Sequence, residues 1–316
     1  MELTVGSRLD GKTVLELLTR ELGFSRATIK HLKFKENGIT VDGEHVTVRR
    51  VLREGEVLTL AIEDDVTPEK LTPCDIPLNI AYEDGDVVVP DKPSDMPTHQ
   101  SFGHYGDTVA NALAHRYMSL GIPYVFRPVN RLDRNTSGLL LIARDRISAA
   151  FLSEQMKKGN VRKKYIAILR GVLPSDDGII DTYMCRTEQS VIVRRVCGEG
   201  EGGDRAVTEY RVLCRSNTHT MVCATPVTGR THQLRVHFSH LGCPIEGDDM
   251  YGEASELIDR HALHSFYLSF PTKDGRTVTV TAPLHEDMLA LAKQVFKERL
   301  NGLPTDIAQH ILHRGL

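Results

Sequence analysis

From Asp64 to Ile76 the chain is polar, carries Pro68 and Pro73, and shows neither a helical nor a strand period. Such a stretch reads as a linker. It divides 316 residues, more than one hydrophobic core usually organises, into a short N-terminal unit and a long second one. The expected organisation is a small domain at 1–65, a linker at 66–76, a main domain at 77–297 and a tail at 298–316.

In the small unit Val14, Leu15, Leu17, Leu18 and Leu22 recur at helical spacing and stop at Gly23. Ser25 is placed to cap a second helix running to about Glu36, which buries Ile29 and Leu32 and gathers Arg26, Lys30 and Lys33 on another face. Short strands are expected at Ile39–Val41 and Val57–Leu60, with a turn at Asp42-Gly43 and with Arg49, Arg50 and Arg53 between them. A charge run is more often a solvated face than a binding site. Here, however, Ser25-Arg26-Ala27-Thr28-Ile29-Lys30 and Arg53-Glu54-Gly55-Glu56-Val57-Leu58 resemble the alpha-L RNA-binding module of ribosomal proteins. That resemblance covers about residues 5–63 and implies RNA contacts from Arg26, Lys30, Lys33, Arg49 and Arg50.

The net charge of −3 argues against RNA binding through bulk electrostatics, so any such contact rests on local clusters. Lys157, Lys158, Arg162, Lys163 and Lys164 form a second one. The N-terminus has no basic segment followed by an apolar one, and no apolar run approaches the roughly 20 residues of a spanning helix, so the cytoplasm and no membrane are expected. Six scattered cysteines without a Cys-x-x-Cys pair suit reduced thiols, with neither disulfide nor zinc expected. No apolar heptad seam appears, and a monomer is expected.

Beyond the linker, strand-like alternations occur at 86–89, 138–143, 164–169, 206–213, 221–224 and 277–281, with helical stretches near 108–119, 147–158 and 285–299. Strands follow one another without intervening helices, which predicts an α+β fold on a mixed, mostly antiparallel sheet. The 197–204 stretch reads as an exposed loop.

Two segments concentrate reactive side chains. In the first, an extended Arg131-Leu132-Asp133 would send Arg131 and Asp133 to one side and Leu132 to the other; a surface Arg–Asp pair explains these residues equally well. The second runs from Thr225 through Gly229-Arg230-Thr231-His232-Gln233-Leu234-Arg235-Val236-His237, followed by Gly247-Asp248 and Tyr251-Gly252. It lacks the spacing of a phosphate-cradling loop, and its histidines lack the Glu-bearing pair of a zinc site.

Together, Arg131-Leu132-Asp133-Arg134 with Thr136-Ser137-Gly138, and the Gly229 to His237 run, resemble the ribosomal large-subunit (RluA-type) pseudouridine synthase family. Lys92-Pro93, Lys163-Lys164-Tyr165, Ala206-x-Thr208-x-Tyr210 and Arg260-His261-Ala262-Leu263-His264 follow in the family's order, so the resemblance spans about 78–287. It departs at Asn130, where the family usually has a histidine, and a side chain that titrates near neutrality is therefore absent there.

The resemblance implies isomerisation of uridine to pseudouridine in structured RNA, most of all large-subunit rRNA with tRNA as the alternative, and requires no redox agent, nucleotide or metal cofactor. It assigns Asp133 to the ribose, as nucleophile or as base. Arg235 would pair with that carboxylate through a bidentate hydrogen bond, Tyr165 would lie against the uracil, and Arg131 would fill the gap left by an extruded nucleotide. Leu263 would be the apolar wall, and His232 and Gln233 would contact the substrate. A non-catalytic RNA-binding or assembly factor is the rival reading, marked by binding without product. A two-carboxylate glycoside hydrolase is a weaker one, marked by free uracil.

Overall fold

A computed structural model of the chain describes residues 2–22, 24, 26–61 and 71–297. The expected stop at Gly23, the cap at Ser25, residues 66–70 of the expected linker and the tail at 298–316 lie outside the described residues.

The first 61 residues build their own sheet and core. In chain order they form β1 (Glu2–Thr4), α1 (Val14–Glu16), α2 (Arg26–Phe34), β2 (Ile39–Val41), β3 (Glu44–His45) and β4 (Val57–Leu60), with sheet order β1-β4-β2-β3. Thr13 and Glu16 cap α1 reciprocally, the Thr13 hydroxyl accepting from Glu16 N at 3.2 Å and the Glu16 carboxylate from Thr13 N at 3.0 Å. The coil then widens over Leu17–Glu21, where Leu22 N donates to Leu17 O at 3.0 Å. Asp42 and Gly43, with φ of 48° and 84°, make the left-handed pair that a tight β2–β3 hairpin needs. Leu17, Leu18, Ile29, Leu32, Leu52 and Leu58 are buried together, and Ile147 and Ala150 from the larger unit pack against them.

The remainder runs β5 (Asn79–Glu83), β6 (Val87–Lys92), α3 (Val109–Ser119), β7 (Arg127–Pro128), β8 (Ser137–Leu139), β9 (Ile142–Ala143) and α4 (Arg146–Lys157). It continues with β10 (Arg162–Arg170), β11 (Asp177–Thr187), β12 (Ser190–Cys197), β13 (Asp204–Arg215) and β14 (His219–Pro226). Last come α5 (Gln233–His240), β15 (Leu263–Pro271), β16 (Thr277–Thr281) and α6 (Glu286–Phe296). One twelve-stranded sheet has the order β12-β11-β13-β14-β10-β15-β8-β6-β9-β7, with β16 on β15 and β5 on β6. Only β8 and β15 pair in parallel among the described strands, so the expected α+β, mostly antiparallel architecture is the observed one.

Alternation along β6 and the β8–β9 segment sorts the core into two layers. Val88, Leu140 and Ile142 face α3 and α6, against Leu113, Tyr117 and Met288. Val87, Val89, Leu139 and Leu141 face the opposite way, with Leu152 of α4 and Phe270. The parallel β8–β15 step requires glycine at 138: its φ is +105°, and an added Cβ would stand 2.3 Å from Ser265 O. No described helix is long and apolar enough to cross a membrane.

Two expectations are corrected here. The 138–143 strand is split into β8 and β9. Residues 131–133 are irregular rather than a strand, because Thr98 takes the place of a ladder partner: its hydroxyl donates to Leu132 O at 2.9 Å and accepts from Leu132 N at 3.2 Å. The predicted sidedness survives without the strand, with Leu132 buried, Asp133 half-buried and Arg131 exposed.

Candidate active site

Asp133 opens a turn in which Thr136 N donates to Asp133 O at 3.0 Å, and the loop around it is fixed from below. Lys92 is fully buried at the end of β6, and its Nζ donates to Pro93 O, Met96 O and Arg134 O, each at 2.8 Å. Three carbonyls thus match the three N–H bonds of an ammonium, even though burial, and then the nearby Arg260 charge, pull this amine down to about 7. Arg260 holds the far side of the turn, donating to Asn135 O at 3.1 Å and to the Asp287 carboxylate at 2.6 Å. Thr136 Oγ1 meets His261 Nε2 at 2.9 Å; burial keeps that histidine well below its usual range and therefore neutral.

Asn130, at the position of the family departure, uses its Oδ1 to accept from Leu141 N at 2.8 Å. It ties the segment leading into the turn to the link between β8 and β9, a task that requires no titration.

Arg235 lies on α5 with its guanidinium nearly buried. Its Nε and Nη2 grip Asp248, both at 2.7 Å, in a bidentate pair with a carboxylate that is wholly buried. The remaining nitrogen, Nη1, is 3.6 Å from Asp133 Oδ2. The expected bidentate bond to Asp133 is thus corrected: the fork belongs to Asp248, and Asp133 receives the third nitrogen as a charge contact. This arrangement suits a reacting carboxylate, which is oriented by a positive group without having both oxygens occupied.

His232 Nε2 is 3.9 Å from Asp133 Oδ1 and its Nδ1 is 2.8 Å from Tyr251 Oη. Its backbone is left-handed at φ 57°, an uncommon state for a residue with a side chain that costs about 1 kcal/mol. Burial lowers its pKa, so a neutral imidazole faces the carboxylate at neutral pH. Tyr251 also stacks under Arg235, with 5.0 Å from the guanidinium carbon to the ring centroid.

These side chains open onto one groove of about 1570 Å³, lined among others by Asp133, Tyr165, His232, Arg235 and Leu263. Arg131, Lys163 and Lys164 line it too. Tyr165, on β10, bonds Ser265, and burial pushes its phenol up to about 12, so it is a neutral ring there and not a resting phenolate.

Gln233 also borders the groove but is nearly buried, and both ends of its amide are engaged. Its oxygen accepts from Thr228 and Arg230 N at 2.7 and 3.0 Å, and its nitrogen donates to Val207 O and Thr208 at 2.9 and 3.0 Å. It therefore shapes the 228–230 loop.

Arg26, Lys30, Lys33, Arg49 and Arg50 are all exposed on the N-terminal unit and do not line the groove. Arg50 is paired with Glu56 at 2.6 Å. None of the six cysteines is in a disulfide, and Cys185, Cys197 and Glu201, whose ligand atoms lie within 4.8 Å of one another, stand on or next to the β11–β12 hairpin. Sequence reasoning missed Asp248, Tyr251 and Lys92 as parts of the site. Each stood in a motif already singled out, but nothing in the spacing revealed which charge each would meet.

A family model described as RNA pseudouridylate synthase matches residues 86–240, which contain Asp133, Tyr165 and Arg235. The Bacillus subtilis (strain 168) protein named uncharacterized RNA pseudouridine synthase YjbO is 37% identical over 274 residues, covering 86% of this chain and 96% of that protein. Ribosomal large subunit pseudouridine synthase D of Xanthomonas campestris pv. campestris is 34% identical over 283 residues, 85% of this chain and 84% of its own length. Among solved structures, Human RNA Pseudouridylate Synthase Domain Containing 1 superposes with a TM-score of 0.56 at 32% identity, covering 66% of this chain and 84% of that one. The chain belongs to the RNA pseudouridine synthase family, isomerases that convert uridine in RNA to pseudouridine.

Proposed function

We propose that this enzyme acts on large-subunit rRNA and that the Asp133 carboxylate carries the reaction at the ribose of an extruded uridine. The observation that supports this reading best is a half-exposed carboxylate with a nearly buried guanidinium 3.6 Å away, at the floor of an open groove. The bond between uracil N1 and the ribose breaks, the base turns, and a bond forms from C5, with the C5 proton lost and a proton gained at N1. Asp133 acts at the sugar as nucleophile or as base. Arg235, anchored by Asp248, sets a positive charge beside it and aims it. Tyr165 and Leu263 supply the apolar floor and wall against which uracil turns, and Arg131, exposed at the edge, is suited to occupy the space the nucleotide leaves.

The groove runs beneath β15, β10, β14, β13 and β11, four strand spacings or roughly 19 Å. The named relatives support the substrate class: one is a large-subunit ribosomal pseudouridine synthase by its title, and the reading extends that to this chain.

The test is incubation of the purified protein with an unmodified large-subunit rRNA transcript and, in parallel, with tRNA. Pseudouridine at defined positions of the rRNA is the expected product; product in tRNA alone would reassign the substrate, and free uracil would indicate hydrolysis.

The N-terminal unit, residues 1–65, is proposed as an RNA-holding domain joined by the 66–76 linker, with Arg26, Lys30 and Lys33 spaced on one exposed face of α2. Replacing all three by alanine is expected to weaken binding and to lower the slope of log affinity against log salt by about 2 to 3. An unchanged slope would rule out phosphate contacts by this face. The enzyme is proposed to work as a monomer in the cytoplasm.

A further inference from the structure

The loop that leaves β6 returns toward the groove through Pro97, Thr98, His99, Ser101 and His104, all of which line it beside Asp133. Its tip is a tight turn closed in both directions, with Ser101 N donating to His104 O at 3.1 Å and His104 N to Ser101 O at 2.9 Å. Gly103 at φ +82° provides the left-handed corner. On that tip Phe102 is 96% exposed, the barest large apolar side chain among the described residues, and Tyr105 next to it is 62% exposed.

The tip is not loose. Gln100 Nε2 donates to Tyr105 O at 2.5 Å and Asn111 Nδ2 to the same oxygen at 3.0 Å. His104 bonds Asp107 at 2.5 Å, and its other ring nitrogen lies 3.4 Å from Arg134, which in turn pairs with Asp95 at 2.6 Å. A phenyl ring is therefore presented to solvent on a braced turn, coupled through Arg134 to the loop that carries Asp133.

A single apolar side chain in water is ordinary, but its position decides what it can do. Here it stands beside a groove lined by Arg131, Arg134, Lys163 and Lys164. Aromatic rings interleaved with cations are the arrangement by which proteins hold unpaired nucleic acid strands, because every base offers a π face and every phosphate a charge. Extruding one uridine strips a stacking partner from each of its neighbours.

We infer that Phe102 is a nucleobase-stacking subsite, capping an unpaired base adjacent to the target uridine and so positioning the RNA over Asp133. The inference rests on the reading of the groove as the RNA site. Phe102 takes no part in the chemistry; its effect is on binding and placement, and it is indifferent to base identity because stacking reads no hydrogen-bonding edge.

The chain contains no tryptophan, so Phe102→Trp places a single tryptophan, excitable apart from the tyrosines, at the tip. Titration of that variant with an oligouridylate and with the rRNA transcript is expected to quench its emission. Phe102→Ala is expected to raise Kd and KM for the transcript about tenfold, with kcat changed much less, and Phe102→Trp to restore both. The thermal midpoint of Phe102→Ala should match wild type, since the ring packs on nothing.

Wild-type Kd and KM in Phe102→Ala, in a preparation where the unsubstituted enzyme makes pseudouridine, would overturn the inference. So would tryptophan emission that responds to protein concentration and not to RNA, which would indicate a second copy of the chain as the occupant. If the unsubstituted enzyme makes no pseudouridine while the Phe102→Trp signal still responds to RNA, the subsite stands and the catalytic reading fails.

Discussion

Asp133→Asn is expected to lower the rate of uridine isomerisation by about 10⁴-fold or more while affinity for the RNA stays close to wild type. The substitution is nearly isosteric and leaves the Arg235–Asp248 fork, the Thr98 clasp on Leu132 and the Lys92 anchor in place. What it removes is the negative charge 3.6 Å from Arg235 Nη1, and with it both the nucleophilic and the basic oxygen. Single-turnover conversion of saturating transcript measures the effect without interference from product release. A variant that turns over normally would remove Asp133 from the mechanism, whichever of its two roles is considered.

Arg235→Met is expected to cost about 3–5 kcal/mol of stability, because it strands a wholly buried carboxylate, Asp248, that loses both of its guanidinium bonds. Backbone N–H groups of Met250 and Tyr251, each at 3.2 Å, still donate to that carboxylate. Activity falls as well, since Asp133 loses its aligned positive partner. The two losses separate in the double variant Arg235→Met with Asp248→Leu. Exchanging both members of a buried pair for apolar side chains is often neutral, so most of the stability should return, measured by urea unfolding, while isomerisation should not. Recovery of activity along with stability would mean that Arg235 serves only the fold.

The sequence was legible where chemistry and periodicity coincide. Val87, Val88 and Val89 announce β6, and Arg131 with Asp133 and His232 with Arg235 do meet in one groove, although 102 residues separate Asp133 from Arg235. Periodicity failed at α5. Leu234, Val236 and Phe238 alternate as a strand would, yet the segment is helical because it is buried on several sides at once: Leu234 and Phe238 enter the main core, and Val236 packs with Met184 and Ala206. Tertiary packing overrode the local pattern.

The loop at 131–133 failed for the opposite reason. Its alternation is real, but the backbone partner is the hydroxyl of Thr98, 34 positions earlier, which no local pattern reports. Likewise Arg235 carried an obvious charge, but its stronger claim on Asp248 depends on both residues being sealed from water. Partner choice among several nearby charges is decided by burial, and burial belongs to the folded chain. Arg26, Lys30 and Lys33 needed no such information, because an exposed helix face follows from spacing alone.

The most direct measurement is pseudouridine mapping across large-subunit rRNA from cells lacking this protein, resupplied with either the unsubstituted chain or Asp133→Asn. One or more positions should be uridine in the deficient cells, return to pseudouridine with the unsubstituted chain, and remain uridine with the Asp133→Asn variant. Restoration of those positions by Asp133→Asn would contradict the assignment of the reaction to this carboxylate.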